Sequence, residues 1–328
     1  MLACRHARQP GRLPLRIEEL KSLPVSLLAV LAAIGSSTLG GSAIVATRFV
    51  VQEAGVLPTI LLRFIGAAAI VLAVTLWRMP IRVAVRDLPV VVGLGLVQFA
   101  LFPWLFTMSL SHIPAGRAAL VLSTQPLLTL LLSSMVGRER LTAVKVLGGL
   151  LALGAVAVAL GDQLGGGGAS AWTGDLFMFG ASVSGSLYNV SASYALRRYK
   201  AMVTASVMIP AGAVAISAAM LWAGDFQAFA TISPAGWGAM AYLMTFGGAF
   251  TFFLWIWALE HTVPSRVALA VTFNPIAAML LGAIVLGEPV TWRLLVGLAG
   301  VLLSLLIVNG RAMREAWRSR TPETGCGT

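Results

Sequence analysis

Long apolar runs, each closed by a short polar or basic connection, recur along this chain at about 24–47, 57–77, 88–110, 115–136, 142–160, 173–195, 201–222, 236–258, 264–286 and 291–309. A helix needs roughly 20 apolar residues to cross the hydrocarbon core. The pattern therefore predicts ten membrane-spanning helices and an all-α polytopic fold.

The pattern also repeats itself. SHIPAGRAALVLSTQPLLTLLLSSMVGRERLT from Ser111 becomes EHTVPSRVALAVTFNPIAAMLLGAIVLGEPVT from Glu260, an offset of 149 residues. In that register His112 falls on His261, Arg117 on Arg266, Pro126 on Pro275, Glu139 on Glu288 and Thr142 on Thr291. Apolar matches mean little in such a chain, but rare polar residues and prolines coinciding in one register mark a duplication. Each copy holds five runs, an odd number, so the copies are expected to enter the bilayer from opposite sides as inverted repeats. The expected organisation is an N-terminal tail over 1–22, a first repeat over 23–160, a Gly-rich linker over 161–172, a second repeat over 173–309 and a C-terminal tail over 310–328.

Composition agrees with a membrane protein. The chain is 58% hydrophobic and 11% charged, and its mean hydropathy is +0.90, outside the soluble range. Its net charge of +11 lies in tails and short loops instead of a basic stripe interleaved with aromatics, which argues against nucleic acid. With the N-terminus inside, 19 Lys and Arg fall on the inner side and only Arg48, Arg117 and Arg293 on the outer side. Both termini are therefore expected in the cytoplasm. Cys4 and Cys326 lie in opposite tails, so neither a disulfide framework nor a metal site is indicated. The linker GDQLGGGGASAW lacks the lysine of a phosphate-binding loop.

The string FTMSLSHIPAGRAALVLSTQPLLTLLLSSMVGRERLT, its second copy ending in LGEPVT, and the GGSAIVATR and LLRF stretches near the start resemble the EamA-type members of the drug/metabolite transporter superfamily. The likeness covers residues 24 to 309. It implies two inverted five-helix repeats, a central cavity between them, and transport of small metabolites, with export of amino acids or related compounds across a bacterial inner membrane as the expected activity. The first copy departs from the usual form, with Gly137 and Arg138 where the second has Leu286 and Gly287.

Several residues are candidates for the cavity. Gln125 and Asn274 stand beside Pro126 and Pro275 near the middle of the fourth and ninth segments. Each proline removes a backbone donor and frees the carbonyl four residues earlier, and each freed group needs a partner at membrane depth. Either the neighbouring amide, Ser123 or Thr272 supplies it, or the opened backbone and the amides face a wet cavity and hold substrate. Gln98, Tyr188 and Asn189 are further polar groups within apolar segments, and their alternative role is interhelical hydrogen bonding. Phe99 and Phe250, on the aromatic faces of segments three and eight, are candidates for apolar wall. Arg63 is the one full charge more than three residues from a segment end. It either snorkels to the headgroups or turns inward to meet a substrate carboxylate or an internal acid.

Two symmetric pairs, Arg117 with Glu288 and Arg266 with Glu139, join opposite repeats and suggest a gate that makes one pair while breaking the other. The alternative is that the acids cap the starts of segments five and ten. No Asp or Glu occurs near a segment centre, and Asp175 is placed in an outer connection. A rival reading, an intramembrane enzyme acting on lipid or isoprenoid substrates, needs a nucleophile with its base or metal ligands. His6, His112 and His261 lie near no acid cluster, and neither HExxH nor GxSxG occurs. No catalytic residue, cofactor or metal is expected; the partners expected are a small-molecule substrate and membrane lipid, with the chain a monomer or weak homodimer.

Overall fold

The computed structural model describes residues 25–137, 142–160, 169–224, 226–262, 267, 270 and 273–318. Among them all long elements are helices: α1 (Val25–Ala54), α2 (Val56–Arg78), α3 (Leu88–His112), α4 (Ala115–Met135), α5 (Ala143–Leu160), α6 (Ala169–Leu196), α7 (Ala201–Ala223), α8 (Pro234–His261), α9 (Phe273–Leu286) and α10 (Trp292–Arg318). Six are long and apolar enough to cross a membrane: α1, α2, α3, α4, α7 and α8. Apolar stretches of α5, α9 and α10 are shorter. Although α6 has 28 residues it is not among the six, because its serines, Asp175 and Asn189 dilute the apolar run. Asp175 itself lies inside α6 and is buried, not in a connection.

The helices exchange partners across the duplication. α1 packs on α8 and α9, while α6 packs on α3 and α4. α2 meets α7, and α5 meets α10. The last contact is close because its residues are small: a methyl group at Gly300 would lie 2.6 Å from Ala155 Cβ, and Ser304 donates to the Gly148 carbonyl at 2.5 Å. Gly154, on the same helix as Gly148, faces open space.

Three local departures from α-geometry shape the interior. α3 carries a π-helical segment at Val97–Leu101 and α8 one at Thr245–Phe250. Adding the offset of 149 to 97–101 gives 246–250, so the segments occupy matched positions. Pro103, which offers no N–H, follows the first, and the Gly247–Gly248 pair lies inside the second, both recognised causes of such breaks. α4 breaks at Ser123–Thr124, so that a second half-helix starts at Gln125 with Pro126 behind it. The hydroxyls of Ser123 and Thr124 bond back to Ala119 and Val121 at 2.9 and 2.8 Å instead of meeting the Leu122 carbonyl.

The two copies also end their fourth and ninth helices alike. Gly137 and Gly287 both adopt positive φ, 71° and 65°, the left-handed turn that terminates a helix. They sit one residue out of register, 137 plus 149 being 286, and α9 itself ends two residues further along than α4. The apparent departure of the first copy is thus a shift in helix length with the cap retained.

Candidate functional site

A cavity of about 90 Å³ lies at the centre of the bundle, walled by α1, α2, α3, α4, α8 and α9. Four sequence candidates meet there: Arg63, Gln98, Gln125 and Asn274. Gln125 and Asn274 take equivalent places. The Gln125 amide fills the space over Gly185 of α6, where a methyl group would lie 2.6 Å from Nε2, and the Asn274 amide fills that over Gly40 of α1, at 2.9 Å from Oδ1. Pro126 and Pro275 are buried immediately behind them. The Gln125 carbonyl accepts from Ser186 Oγ at 3.0 Å.

Arg63 turns inward. It is only 7% exposed; Nη2 donates to the Gly247 carbonyl at 2.5 Å and Nη1 to Thr47 Oγ1 at 3.3 Å. The acceptor comes from the π-segment of α8, where widened backbone geometry offers a carbonyl to a side chain. The guanidinium lies 5.5 Å from the Phe64 ring centre and 5.7 Å from that of Phe252, both cation–π distances. Snorkelling does not occur, because the bundle interior supplies both hydrogen-bond acceptors and ring faces.

Other candidates fall outside the cavity. Phe99 is fully buried behind the wall, edge-on to Phe64, Phe252 and Tyr188. Tyr188 is equally buried and directs its hydroxyl to Met208 Sδ at 3.7 Å. Asn189 accepts from Trp255 Nε1 at 3.4 Å, one shell behind the lining. Phe250 is 47% exposed on the outside of the bundle with Phe246. The sequence reading followed an unbroken helical period, whereas the π-segment inserts extra rotation, so Phe252, Thr251 and Trp255 face the cavity instead. Phe252, Phe64 and the Ser36–Ser37 pair were missed as lining. The glycine pair Gly247–Gly248 was the only sign of the register change in α8.

Buried polar atoms cluster at this cavity without protein partners: Ser37 Oγ, Arg63 Nε, Gln98 Oε1 and Asn274 Oδ1. Unmet groups of this kind cost about 1–3 kcal/mol each. Serines meanwhile meet carbonyls in and just after the π-segments: Ser184 donates to Val97 O at 3.0 Å and Ser36 to Thr251 O at 2.8 Å.

At the Arg117 end the expected Arg117–Glu288 pair is not formed. Arg117 makes a two-pronged ion pair with Asp175, Nε to Oδ1 at 2.9 Å and Nη2 to Oδ2. Glu288 accepts from the backbone amides of Ala115 and Gly116 at 3.0 and 3.4 Å. It therefore caps the start of α4, not of α10, whose first turn is capped by Thr291. Arg266 and Glu139 lie outside the described residues.

At the opposite end Asp87, before α3, accepts from Arg198 and Tyr199 at 2.6 Å each and from Tyr194 at 3.3 Å. The Tyr199 hydroxyl, then the Arg198 guanidinium, hold its carboxyl below the ordinary carboxylate range.

Comparison with known proteins places relatives of this chain among transporters. A transporter of Archaeoglobus fulgidus, itself uncharacterized, is 27% identical over 69% of this chain and 79% of its own. A probable terminal-alkyne amino-acid exporter of Streptantibioticus cattleyicolor is 25% identical, covering 74% and 80%. The inner membrane transporter YedA of Escherichia coli K12, also uncharacterized, is 27% identical, covering 75% and 79%. A protein of known crystal structure superposes with a TM-score of 0.66 at 23% identity, over 88% of this chain and 98% of its own, a likeness of fold. The EamA-like transporter family matches twice, over residues 27–161 and 172–310, and the chain belongs to that family.

Proposed function

We propose that this protein is a secondary transporter that exports amino acids or related small metabolites across a bacterial inner membrane, by alternating access around the central cavity. The observation that carries the reading is the cavity itself, whose walls come from both matched segments and hold Ser37, Gln98 and Asn274 atoms with no protein partner. A solute carrying its own donors and acceptors recovers there the hydrogen bonds it loses on leaving water. The exporter of Streptantibioticus cattleyicolor supports amino acids as the cargo class.

The same reading takes the two matched segments as inverted repeats with both termini in the cytoplasm. Support comes from the symmetric exchange of helix partners and from the bias of basic residues.

Counterflow in proteoliposomes with a panel of amino acids and nucleobases tests the activity. Labelled amino acid should accumulate against unlabelled solute trapped inside, and failure of every panel member to exchange overturns the proposal. Cysteines placed between Gly161 and Ala171 should react with impermeant thiol reagents from the periplasm while Cys4 and Cys326 stay protected. Reversed labelling removes the orientation.

A further inference from the structure

We infer that Arg63 is the anion-binding group of the cavity and that the carried solute presents a carboxylate to it. The inference rests on the transporter reading and deepens it by naming the chemistry of the cargo.

Charge is the first argument. Arg63 is buried among helices, and no carboxylate of the described residues pairs with it. A buried cation is costly unless an anion or a full set of acceptors meets it. A guanidinium has five N–H donors. Only two are used here, toward Thr47 and Gly247, and Nε has no partner. The rest suit a carboxylate, which a guanidinium binds in a planar, two-pronged manner.

Placement is the second. Rings of Phe64 and Phe252 lie on the guanidinium and also line the cavity, so the cation is oriented before a ligand arrives. In the same cavity Gln98 Oε1 and Asn274 Oδ1 are unpartnered acceptors. They match an ammonium or hydroxyl on the carbon next to the carboxylate. Together these groups describe an α-amino or α-hydroxy acid.

Asymmetry is the third. α2 and α7 are both 23 residues long and start at 56 and 201, an offset of 145, so the position matched to Arg63 is Met208 of α7. Met208 is fully buried, its Sδ accepts from the Tyr188 hydroxyl at 3.7 Å, and α3 lies so close that a methyl group on Gly95 would be 2.7 Å from the Met208 carbonyl oxygen. The second matched segment thus holds a packed apolar side chain in that place, and the carboxylate has a single berth, on the α2–α8 side.

The test compares acids with their neutral amides. Full-length protein purified in detergent is titrated with leucine, phenylalanine and threonine and with the primary amide of each, and binding is measured calorimetrically. At least one acid should bind, and its amide roughly 10- to 100-fold more weakly, the loss of a charge-assisted pair. Arg63→Gln should remove that preference, and Arg63→Lys should keep it at reduced affinity. If Arg63→Gln does not yield monodisperse protein, the acid–amide comparison in the unaltered protein still decides. Equal binding of acid and amide, unchanged acid affinity in Arg63→Gln, or binding of nucleobases and no acid each overturns the anchor while leaving the transporter reading in place. No binding and no exchange of any panel member overturns both.

Discussion

Arg63 and Arg117 are both buried arginines, yet their surroundings differ in kind. Arg117 meets Asp175 through two hydrogen bonds at the end of α4 and α6. Arg63 meets a backbone carbonyl, a hydroxyl and two rings, and no acid of the described residues. A charge paired within the chain ties helices together, whereas one left without an anion beside a cavity can select what enters. The contrast teaches that the burial of a charge says little about its role until its partners are known.

The largest effect should come from breaking the paired case. Asp175→Asn leaves Arg117 buried beside a neutral amide, and loss of one partner from a buried pair costs about 3–5 kcal/mol. Thermal unfolding of the purified variant should show a much lower midpoint. Arg117→Gln in the same chain should recover part of it, because the uncompensated cation is gone. Equal stability of Asp175→Asn and the unaltered protein would make the two arginines alike after all.

Gly212, one turn beyond the position matched to Arg63, tests how tightly α7 packs on the π-segment of α3. Even Ala at that position places a methyl group against the Phe99 backbone, and overpacking of this kind costs about 1–3 kcal/mol. Gly154→Ala, which faces open space, is the control and should be neutral or slightly stabilising. Comparison of unfolding midpoints separates them. If Gly212→Ala is as stable as Gly154→Ala, the close approach of the α3 π-segment does not constrain this side of the bundle.

Some of this contrast was legible in the sequence. Gln125 and Asn274 were found because an amide beside a proline in the middle of an apolar run is rare, and the offset brings one onto the other. Arg63 stood out as a lone charge, and its lack of a counterpart was plain. Its partners were hidden, since Gly247 O becomes available only where α8 widens into a π-segment, and no side-chain pattern encodes a carbonyl. The same widening moved Phe250 outward and brought Phe252 in. Asp175 was placed in an outer connection because it stands at the edge of its apolar run, whereas α6 begins earlier, at Ala169. Glu288 was assigned to a neighbouring helix in sequence, while its partners lie more than 170 residues away on α4.

The amides at the cavity should matter less than either arginine. Gln125→Leu and Asn274→Leu each remove hydrogen-bonding groups worth about 0.5–1.5 kcal/mol. Affinity for the carried solute should fall roughly 2- to 15-fold in each, with the protein still monodisperse. Equilibrium binding on purified variants reads this directly. Because the two residues occupy matched places over Gly185 and Gly40, similar losses are expected, and unchanged affinity in both removes the amides from the site.

The smallest effect belongs to a third arginine, which completes the series. Arg198 pairs with Asp87 as Arg117 does with Asp175, but its side chain is 46% exposed, so water and salt screen the attraction. Hydrogen bonds from Tyr199 and Arg198 hold the Asp87 carboxyl below its ordinary range. A depressed carboxylate contributes stability that is fully present above its unfolded value, about 4, and that is lost as pH falls through the lower folded value. Asp87→Asn should therefore lower the unfolding midpoint slightly at pH 7. The difference from the unaltered protein should shrink as the pH is taken below about 4 and should be smaller in high salt. The Asp175→Asn difference, made in a buried pair, should resist salt. If added salt abolished the Asp175 effect while sparing that of Asp87, exposure would not be what ranks these pairs.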